Sequence, residues 1–299
     1  ERAIPVLFKV FIIFGLILFL NRMRLHLSLS LFVGSLALAF WMGLGVYPLA
    51  GVIVASVTSL QTIGILMIVW LIMVLSKLMK EAGQMERLVS SFSRLSGDPR
   101  TVGAVMTALI GLLPMPGGAL FSAPMVDASL SALPVNKEQK TIINYWFRHI
   151  WEYWWPLYPG VILAMQYAGL SAVTFFLIQV PFTLAAVLGG YFFILRGIGK
   201  GRDEERENGS WDAPAVFSAI RPIGILVLVT LLGSALLPPL GIGGTLANLV
   251  AMLVGLILAL VSSFAGHGAV LRPALSMFRK KDTWLMMVLV IGIQAFSAA

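Results

Sequence analysis

The sequence predicts an all-α polytopic membrane protein. Of its 299 residues, 59% are hydrophobic and only 11% are charged, and the mean hydropathy is +0.94. A soluble core could not enclose so much apolar surface. Apolar segments of about 17 residues or more recur along the chain, which is the length that a helix needs to cross a hydrocarbon layer about 30 Å thick.

Several of these apolar segments are predicted to be spanning helices because of their length and their composition. They are Ile4–Leu20, Leu25–Tyr47, Leu60–Met79, Tyr145–Ala168, Ala172–Leu195, Phe217–Leu237, Thr245–Val270 and Thr283–Ala299. The intervening segments without Lys or Arg are assigned to the outside as loops, and the basic ones to the cytosol. The outside loops are Pro48–Ser59, Gly169–Ser171 and Pro238–Gly244.

The charge and cysteine content exclude several classes of function. The net charge is +8, but the basic residues lie in short loops, so we interpret them as topology signals and expect no nucleic-acid partner. The chain contains no cysteine, which excludes disulfides, thiolate metal sites and cysteine nucleophiles. The three histidines are scattered and give no metal-ligand spacing, so metal ligands stay unassigned.

Residues 101–133 are predicted to form a re-entrant helical hairpin. The basic loops on both sides are assigned to the same face of the membrane, so this segment crosses twice or not at all. Its apolar arms, Val102–Leu113 and Ala119–Leu133, have about 12 and 15 residues, whereas a crossing needs about 20. A hairpin that enters and leaves on the cytosolic side therefore fits better than two crossings.

The tip of this hairpin is the strongest candidate for a binding site. Pro114 and Pro116 remove backbone donors, and Gly117 and Gly118 permit turns, so a helix cannot continue. Non-helical backbone at membrane depth requires protein or water around it, which predicts a cavity. Broken helix ends offer N–H groups to anions and carbonyls to cations, and Ser122 could ligate sodium or bond its own helix. The alternative is a proline-kinked helix pair that only packs.

Charged residues follow within an apolar stretch. Asn144, Arg148 and Glu152 recur at i, i+4 and i+8, so we expect them to share one helical face. Arg148 is predicted to hold a carboxylate through its bidentate fork, with Glu152 as its resting partner or as a proton carrier. The alternative is an internal Arg148–Glu152 ion pair among interfacial aromatic residues. Pro156 and Pro159 predict a second helix break.

The two halves of the chain are predicted to be inverted-topology repeats. Residues 1–195 form the first repeat with its hairpin, residues 196–216 form a charged cytoplasmic linker, and residues 217–299 begin the second repeat. The second repeat stops before any counterpart of the hairpin. We therefore expect the sequence to be truncated at the C-terminus, and its start at Glu1 also suggests a piece of a longer product.

Two stretches, LLPMPGGALFSAPMVD at 112–127 and NYWFRHIWEYWWPLYPG at 144–160, resemble the domain-of-unknown-function 401 family of prokaryotic integral membrane proteins. That family is grouped with the ion transporter superfamily, beside the gluconate, citrate, dicarboxylate and arsenite permeases. The resemblance implies a scaffold domain and a mobile domain with elevator-type alternating access. It also implies anionic substrates, coupling to sodium or protons, and a homodimer.

The leading hypothesis is an ion-coupled secondary active transporter of a small anionic solute such as a carboxylate, in the prokaryotic inner membrane. It would be no enzyme and need no cofactor beyond a coupling Na⁺ or H⁺. The expected substrate-binding residues are Pro114, Pro116, Gly117, Gly118, Ser122, Asn144, Arg148, Glu152, Pro156 and Pro159. The open alternatives are an intramembrane enzyme acting on a lipid phosphate and a non-transporting membrane scaffold.

Overall fold

The computed structural model describes residues 5–84, 87, 98–112, 118–131, 133–199, 213–264 and 275–298. Every secondary-structure element in these ranges is helical, as predicted. The chain divides into two compact units, of which the first comprises Glu1–Trp70 with Leu275–Ala299 and the second comprises Leu71–Ala274. The inverted repeats are a different kind of division, and their boundaries stay a prediction.

The helices are named here in chain order. They are α1 (Val6–Arg22), α2 (Leu27–Trp41), α3 (Val46–Val57), α4 (Leu60–Glu81), α5 (Pro99–Gly111), α6 (Gly118–Ser129), α7 (Lys137–Arg148), α8 (Pro159–Ala168), α9 (Ala172–Gly189), α10 (Ala213–Leu236), α11 (Gly244–Phe264) and α12 (Lys281–Ala298). A π-helical turn, Gly190–Leu195, continues α9, and a short 3-10 turn, Pro238–Leu240, follows α10.

Within the described residues, three helical stretches are long and apolar enough to cross a membrane, which supports a membrane protein. They are Leu60–Glu81, Ala172–Leu195 and Gly244–Ser263. The predicted span Leu25–Tyr47 is a shorter helix, α2, which ends at Trp41 and not at Tyr47. It ends there because Gly43, with φ of 88°, turns the chain.

The loop predicted at residues 48–59 is wrong, because helix α3 occupies most of it. Pro48 lies in the first turn of α3, where a helix tolerates proline because the first N–H groups have no intrahelical partner. With 12 residues, α3 is about 18 Å long and cannot cross the bilayer alone.

The first unit is held together by close helix contacts. Helix α2 packs on α1 and on α12, and Gly34 lets the side chain of Ile17 reach the backbone of α2. A Cβ at Gly292 would lie 3.0 Å from the Ser28 carbonyl oxygen, so α12 approaches α2 closely. Small residues at such crossings are typical of helices packed within membranes.

The second unit contains a helical hairpin and a separate helix pair. Helix α5 packs on α6, and α7 packs on both of them. The predicted arms are therefore confirmed as two helices of 13 and 12 residues, each about 20 Å long or less. That this hairpin re-enters the membrane stays a prediction. Helices α10 and α11 pack on each other along their lengths.

Candidate functional site

Helix α7 is positioned against the hairpin by its own start. Asn136 caps its first turn, accepting from the Gln139 backbone N–H at 2.8 Å, while the Gln139 side chain accepts from the Asn136 N–H at 3.0 Å. This reciprocal capping box fixes where the helix begins. Lys140 then forms an ion pair of 2.6 Å with Asp127 near the end of α6. Both features orient α7 along the hairpin.

Asn144 ties α7 to the first turn of α6. Its side-chain Nδ2 donates to the carbonyl of Ala119 at 2.9 Å, and its Oδ1 accepts from the Ser122 hydroxyl at 2.5 Å. The hydroxyl also lies 3.1 Å from the carbonyl of Gly118 in its own helix. From its position one turn into α6, Ser122 was expected either to ligate sodium or to bond its own helix. The structure shows the contact with its own helix backbone together with the hydrogen bond to Asn144.

Arg148 lies one turn beyond Asn144, and the predicted i, i+4 face is confirmed for this pair. Its side chain is buried, with 8% of the residue exposed. A Cβ added at Gly118 would lie 2.7 Å from the guanidinium Cζ and 2.9 Å from Nε. The guanidinium therefore rests on the first residue of α6, where the helix dipole is positive and N–H groups point outward. We call Gly118, Ser122, Asn144 and Arg148 the Arg148 site.

The main chain of Arg148 contacts the other arm of the hairpin. A Cβ at Gly111, the last residue of α5, would overlap the Arg148 carbonyl oxygen and lie 3.0 Å from its carbonyl carbon. Only glycine permits this approach. One residue thus touches the end of α5 with its backbone and the start of α6 with its side chain.

The predicted helical face does not extend to Glu152, because α7 ends at Arg148 and residues 149–158 are turns. Glu152 instead faces His149, with 3.6 Å between Oε1 and Nε2, and the two form an ion pair when the imidazole is protonated. The backbone N–H of Glu152 bonds the His149 carbonyl at 3.1 Å, which is a tight turn and not a helical continuation. The i+4 spacing from Arg148 to Glu152 therefore does not place the two side chains on one helical face.

Three aromatic residues after α7 supply donors to the end of α5. The indole N–H of Trp151 donates to the Ala108 carbonyl at 2.7 Å, that of Trp155 to Leu112 at 2.8 Å, and the Tyr158 hydroxyl to Gly111 at 2.6 Å. These carbonyls belong to the last turn of α5, which has no intrahelical partners for them. Trp151, Trp155 and Tyr158, here called the aromatic cap, were interpreted from sequence as interfacial residues, and this role was missed.

A second set of contacts fastens the end of α7 and the turns to α9. Trp146 donates to the Ala186 carbonyl at 2.8 Å, and Trp154 donates to the Thr183 hydroxyl at 2.9 Å. Gly190, the first residue of the π-helical turn, would clash with Phe147 if it carried a Cβ, at 2.6 Å from Cζ. The π-helical turn and its glycine therefore let α7 approach α9 closely.

Pro156 and Pro159, the two prolines that predicted a helix break, lie in different surroundings. Pro159 is the first residue of α8, where the missing N–H costs nothing, so the predicted break is confirmed between Arg148 and Pro159. Pro156 lines an apolar cleft with Trp154, Phe176 and the buried Thr230. The lining of that cleft includes no member of the Arg148 site.

A buried arginine at the start of α5 was also missed by sequence reasoning. Asp98 caps α5 by accepting from the Arg100 backbone N–H at 3.1 Å, and Pro99 follows as the first helical residue. The Arg100 guanidinium bonds Asp98 through Nε and Nη2 and the Ile198 carbonyl through Nη1 at 2.6 Å. Hydrogen bonding to Arg100 holds the pKa of Asp98 below its usual value. The Asp-Pro pair was the available signal.

The structure brings four predicted site residues together, namely Gly118, Ser122, Asn144 and Arg148. Glu152 follows them on a separate turn with His149. Pro114, Pro116 and Gly117 lie outside the described residues. Within the described ranges, no three His, Asp or Glu residues gather as metal ligands. The arrangement offers a buried cation beside helix N–H groups, which is suited to an anion.

Comparison with known proteins gives one match at the level of families. No curated protein and no solved structure matches the chain. A family model described as "Protein of unknown function (DUF401)" matches residues 3–293, which is nearly the whole chain. The protein is therefore a member of the DUF401 family.

Proposed function

We propose that this protein is a secondary active transporter that moves a small anionic solute, such as a carboxylate, across the inner membrane by ion-coupled alternating access. In this proposal the chain spans the membrane several times as inverted repeats. The hairpin of α5 and α6 re-enters from the cytosol, and the transporter works as an elevator-type homodimer. The Arg148 site forms one part of the substrate site.

The observation that carries the proposal is the position of the Arg148 guanidinium on the first residue of α6. A buried charge in a membrane protein is costly and is usually paired or functional. Here the charge lies beside a helix N-terminus, so both the guanidinium and the helix dipole favour an anion at the same place. Guanidinium forks bind carboxylates with two parallel hydrogen bonds, which favours that class of solute.

Substrate binding would use contacts that already exist in the Arg148 site. Asn144 holds α7 to the first turn of α6 through Ala119 and Ser122. The helix that carries the guanidinium is therefore held by the hydrogen bonds of Asn144, and the guanidinium packs on Gly118 before any solute binds. Such preorganisation reduces the entropy cost of binding.

Uptake by proteoliposomes tests the proposal. The purified protein is reconstituted, and radiolabelled gluconate, citrate and succinate are supplied one at a time under imposed sodium or proton gradients. We expect uptake of at least one of them, and we expect Arg148→Ala to abolish it. Arg148→Lys keeps the charge but loses the planar fork, so it should retain only part of the uptake.

A matched control removes a positive charge from another place. Arg196 is exposed after the π-helical turn, and Arg196→Ala should leave uptake unchanged. Gly118→Ala offers a second test, because its Cβ would displace the guanidinium while leaving the charge in the protein. Uptake that survives both Arg148→Ala and Gly118→Ala would refute the role of this site.

The re-entrant topology has its own test. The natural chain has no cysteine, so single cysteines can be introduced for labelling without background. Cysteines at Asp98 and at Asn136, on the two sides of the hairpin, should both react only with a reagent on the cytosolic face. Reaction of either from the opposite face would exclude re-entry.

A further inference from the structure

His149 closes the C-terminal end of α7. Its backbone N–H bonds the Trp146 carbonyl at 3.2 Å, so the carbonyl of Tyr145 is left without its usual helical partner. The His149 ring supplies that partner, with Nδ1 lying 2.5 Å from the Tyr145 oxygen. A histidine side chain at a helix C-terminus commonly satisfies such a carbonyl.

This contact fixes the protonation pattern of the ring. A carbonyl oxygen can only accept a hydrogen bond, so Nδ1 must carry a hydrogen. The other nitrogen, Nε2, faces the Glu152 carboxylate at 3.6 Å. The lone pair of Nε2 and the carboxylate oxygens are therefore the two places in this pair where one further proton could be held.

The pair follows directly on the Arg148 site. His149 is the chain neighbour of Arg148, and the Tyr158 phenol lies within electrostatic range of both Glu152 and Arg148. The side chains of His149 and Glu152 remain 25% and 45% exposed, so the protein itself does not enclose them. The ring of Tyr145 stacks on the imidazole with 4.3 Å between centroids.

Ionisable groups on the elements that pack against α7 have other neighbours. On α5, Arg100 is bonded to Asp98, and on α6, Asp127 is paired with Lys140. On the π-helical turn, Tyr191 lies within electrostatic range of Arg100. Among the described residues, Glu152 is the carboxylate in ion-pair distance of His149.

The end of α5 gives little support to a sodium site. The carbonyls of Ala108, Gly111 and Leu112 are the oxygens that a broken helix would offer to a cation. Each of them already accepts a hydrogen bond from the aromatic cap. Each of these oxygens therefore has one of its two lone pairs already used, which makes it a weaker cation ligand than an unbonded carbonyl.

We infer that the coupling ion is a proton carried by His149 and Glu152, an inference that rests on the proposed transport function. With neutral imidazole and ionised carboxylate, the pair has a charge of −1 next to the Arg148 site in the chain, and its repulsion of a solute anion competes with the attraction of Arg148. One proton added from the aqueous phase makes the pair neutral in total. The anion then binds Arg148 without that competition, and loss of the same proton on the other side favours its release.

The test measures uptake of gluconate, citrate and succinate in proteoliposomes whose membrane potential is clamped. For one proton per anion, a gradient of one pH unit, acid outside, should raise accumulation about tenfold. His149→Gln and Glu152→Gln should each remove this dependence while exchange of internal for external solute continues. Continued exchange shows that the variants are folded. Glu138→Gln, an exposed carboxylate on α7, should behave as the wild type.

The outcomes separate the two proposals. Uptake that follows a sodium gradient, or that keeps its proton dependence in both variants, overturns the proton inference and leaves transport standing. Failure of the wild type to take up or exchange any of the three probes overturns the proposed function and this inference with it.

Discussion

The α10–α11 pair and the hairpin with α7 are two regions of the second unit that solve helix packing differently. In the pair, small residues bring apolar helices together: a Cβ at Gly233 would lie 2.5 Å from Cβ of Ala251, and one at Gly255 would lie 3.0 Å from Leu226 Cδ1. This is ordinary close packing between membrane helices. It gives stability and offers no chemistry.

The hairpin region also uses glycines, but they make room for polar groups. Gly111 faces a carbonyl, and Gly118 faces a guanidinium. The aromatic cap donates to the carbonyls at the end of α5, and Asn144 ties α7 to the first turn of α6. The hairpin region uses its glycines and hydrogen bonds to hold polar groups at the ends of two short helices. The α10–α11 pair uses its glycines only for packing. This contrast is what localises the candidate site.

The largest effect is expected for Gly111→Ala, which disrupts the close contact between α5 and α7 in the hairpin region. Its Cβ would overlap backbone atoms of Arg148, which cannot move away as a flexible side chain could. Overpacking against backbone should cost about 3 kcal/mol of unfolding free energy. The measurement is the temperature at which half of the monodisperse protein is lost in detergent.

Gly160→Ala is the matched control, because a Cβ there meets nothing within 4 Å. It lies in the first turn of α8, and alanine should stabilise it by about 0.5 kcal/mol. Equal melting temperatures for the Gly111 and Gly160 variants would show that α5 and α7 do not approach as closely as described.

An intermediate effect is expected for Tyr158→Phe, which removes one hydrogen bond from the hairpin region and leaves its packing unchanged. The Gly111 carbonyl would lose the phenol donor that lies 2.6 Å away. An under-satisfied buried acceptor should cost about 1 to 2 kcal/mol. Thermal unfolding of Tyr158→Phe is compared with that of Tyr153→Phe, whose ring is largely exposed; similar losses in both would contradict a capping role.

The smallest effect concerns Asp98, the residue that caps the start of α5. Because hydrogen bonding to Arg100 lowers the folded pKa of Asp98, its contribution to stability is present above the unfolded pKa. That contribution is lost as the pH falls through the folded value, below about pH 4. The Asp98 side chain is still 31% exposed, so solvent screening should keep the contribution below about 1 kcal/mol.

Melting temperatures of the wild type and of Asp98→Asn, taken stepwise between about pH 6 and pH 3, measure this contribution. The difference between them should shrink as the pH falls. Asp282→Asn, an exposed carboxylate in the first turn of α12, serves as control. A difference that grows toward acid would give the opposite sign and exclude the Arg100 pairing.

Local rules of sequence predicted the parts of the fold that depend on backbone chemistry. Proline and glycine marked the break before Pro159 and bounded the hairpin arms, because these residues act on their own backbone. The four-residue spacing of Asn144 and Arg148 gave their shared face for the same reason. The same rule failed at Glu152, since it presumed a helix that ends at Arg148.

The contacts that the sequence did not reveal are between distant segments. The aromatic cap joins residues that are more than 40 positions apart, and no local pattern encodes which carbonyl an indole will reach. The burial of Arg100 against Ile198 is of the same kind. Helix α3 was missed for another reason, because a positive-inside assignment of a loop says where a segment lies and not how it folds.

Arg148 contacts the two arms of the hairpin through chemically different atoms, its backbone and its guanidinium. Substitutions at this position can therefore separate the packing of the hairpin from the function of the site. Every amino acid keeps the backbone carbonyl that meets Gly111, whereas only arginine carries the planar cation that meets Gly118. Under the transport proposal, replacing the Arg148 side chain should therefore abolish solute binding, while the two arms of the hairpin still pack as in the wild type.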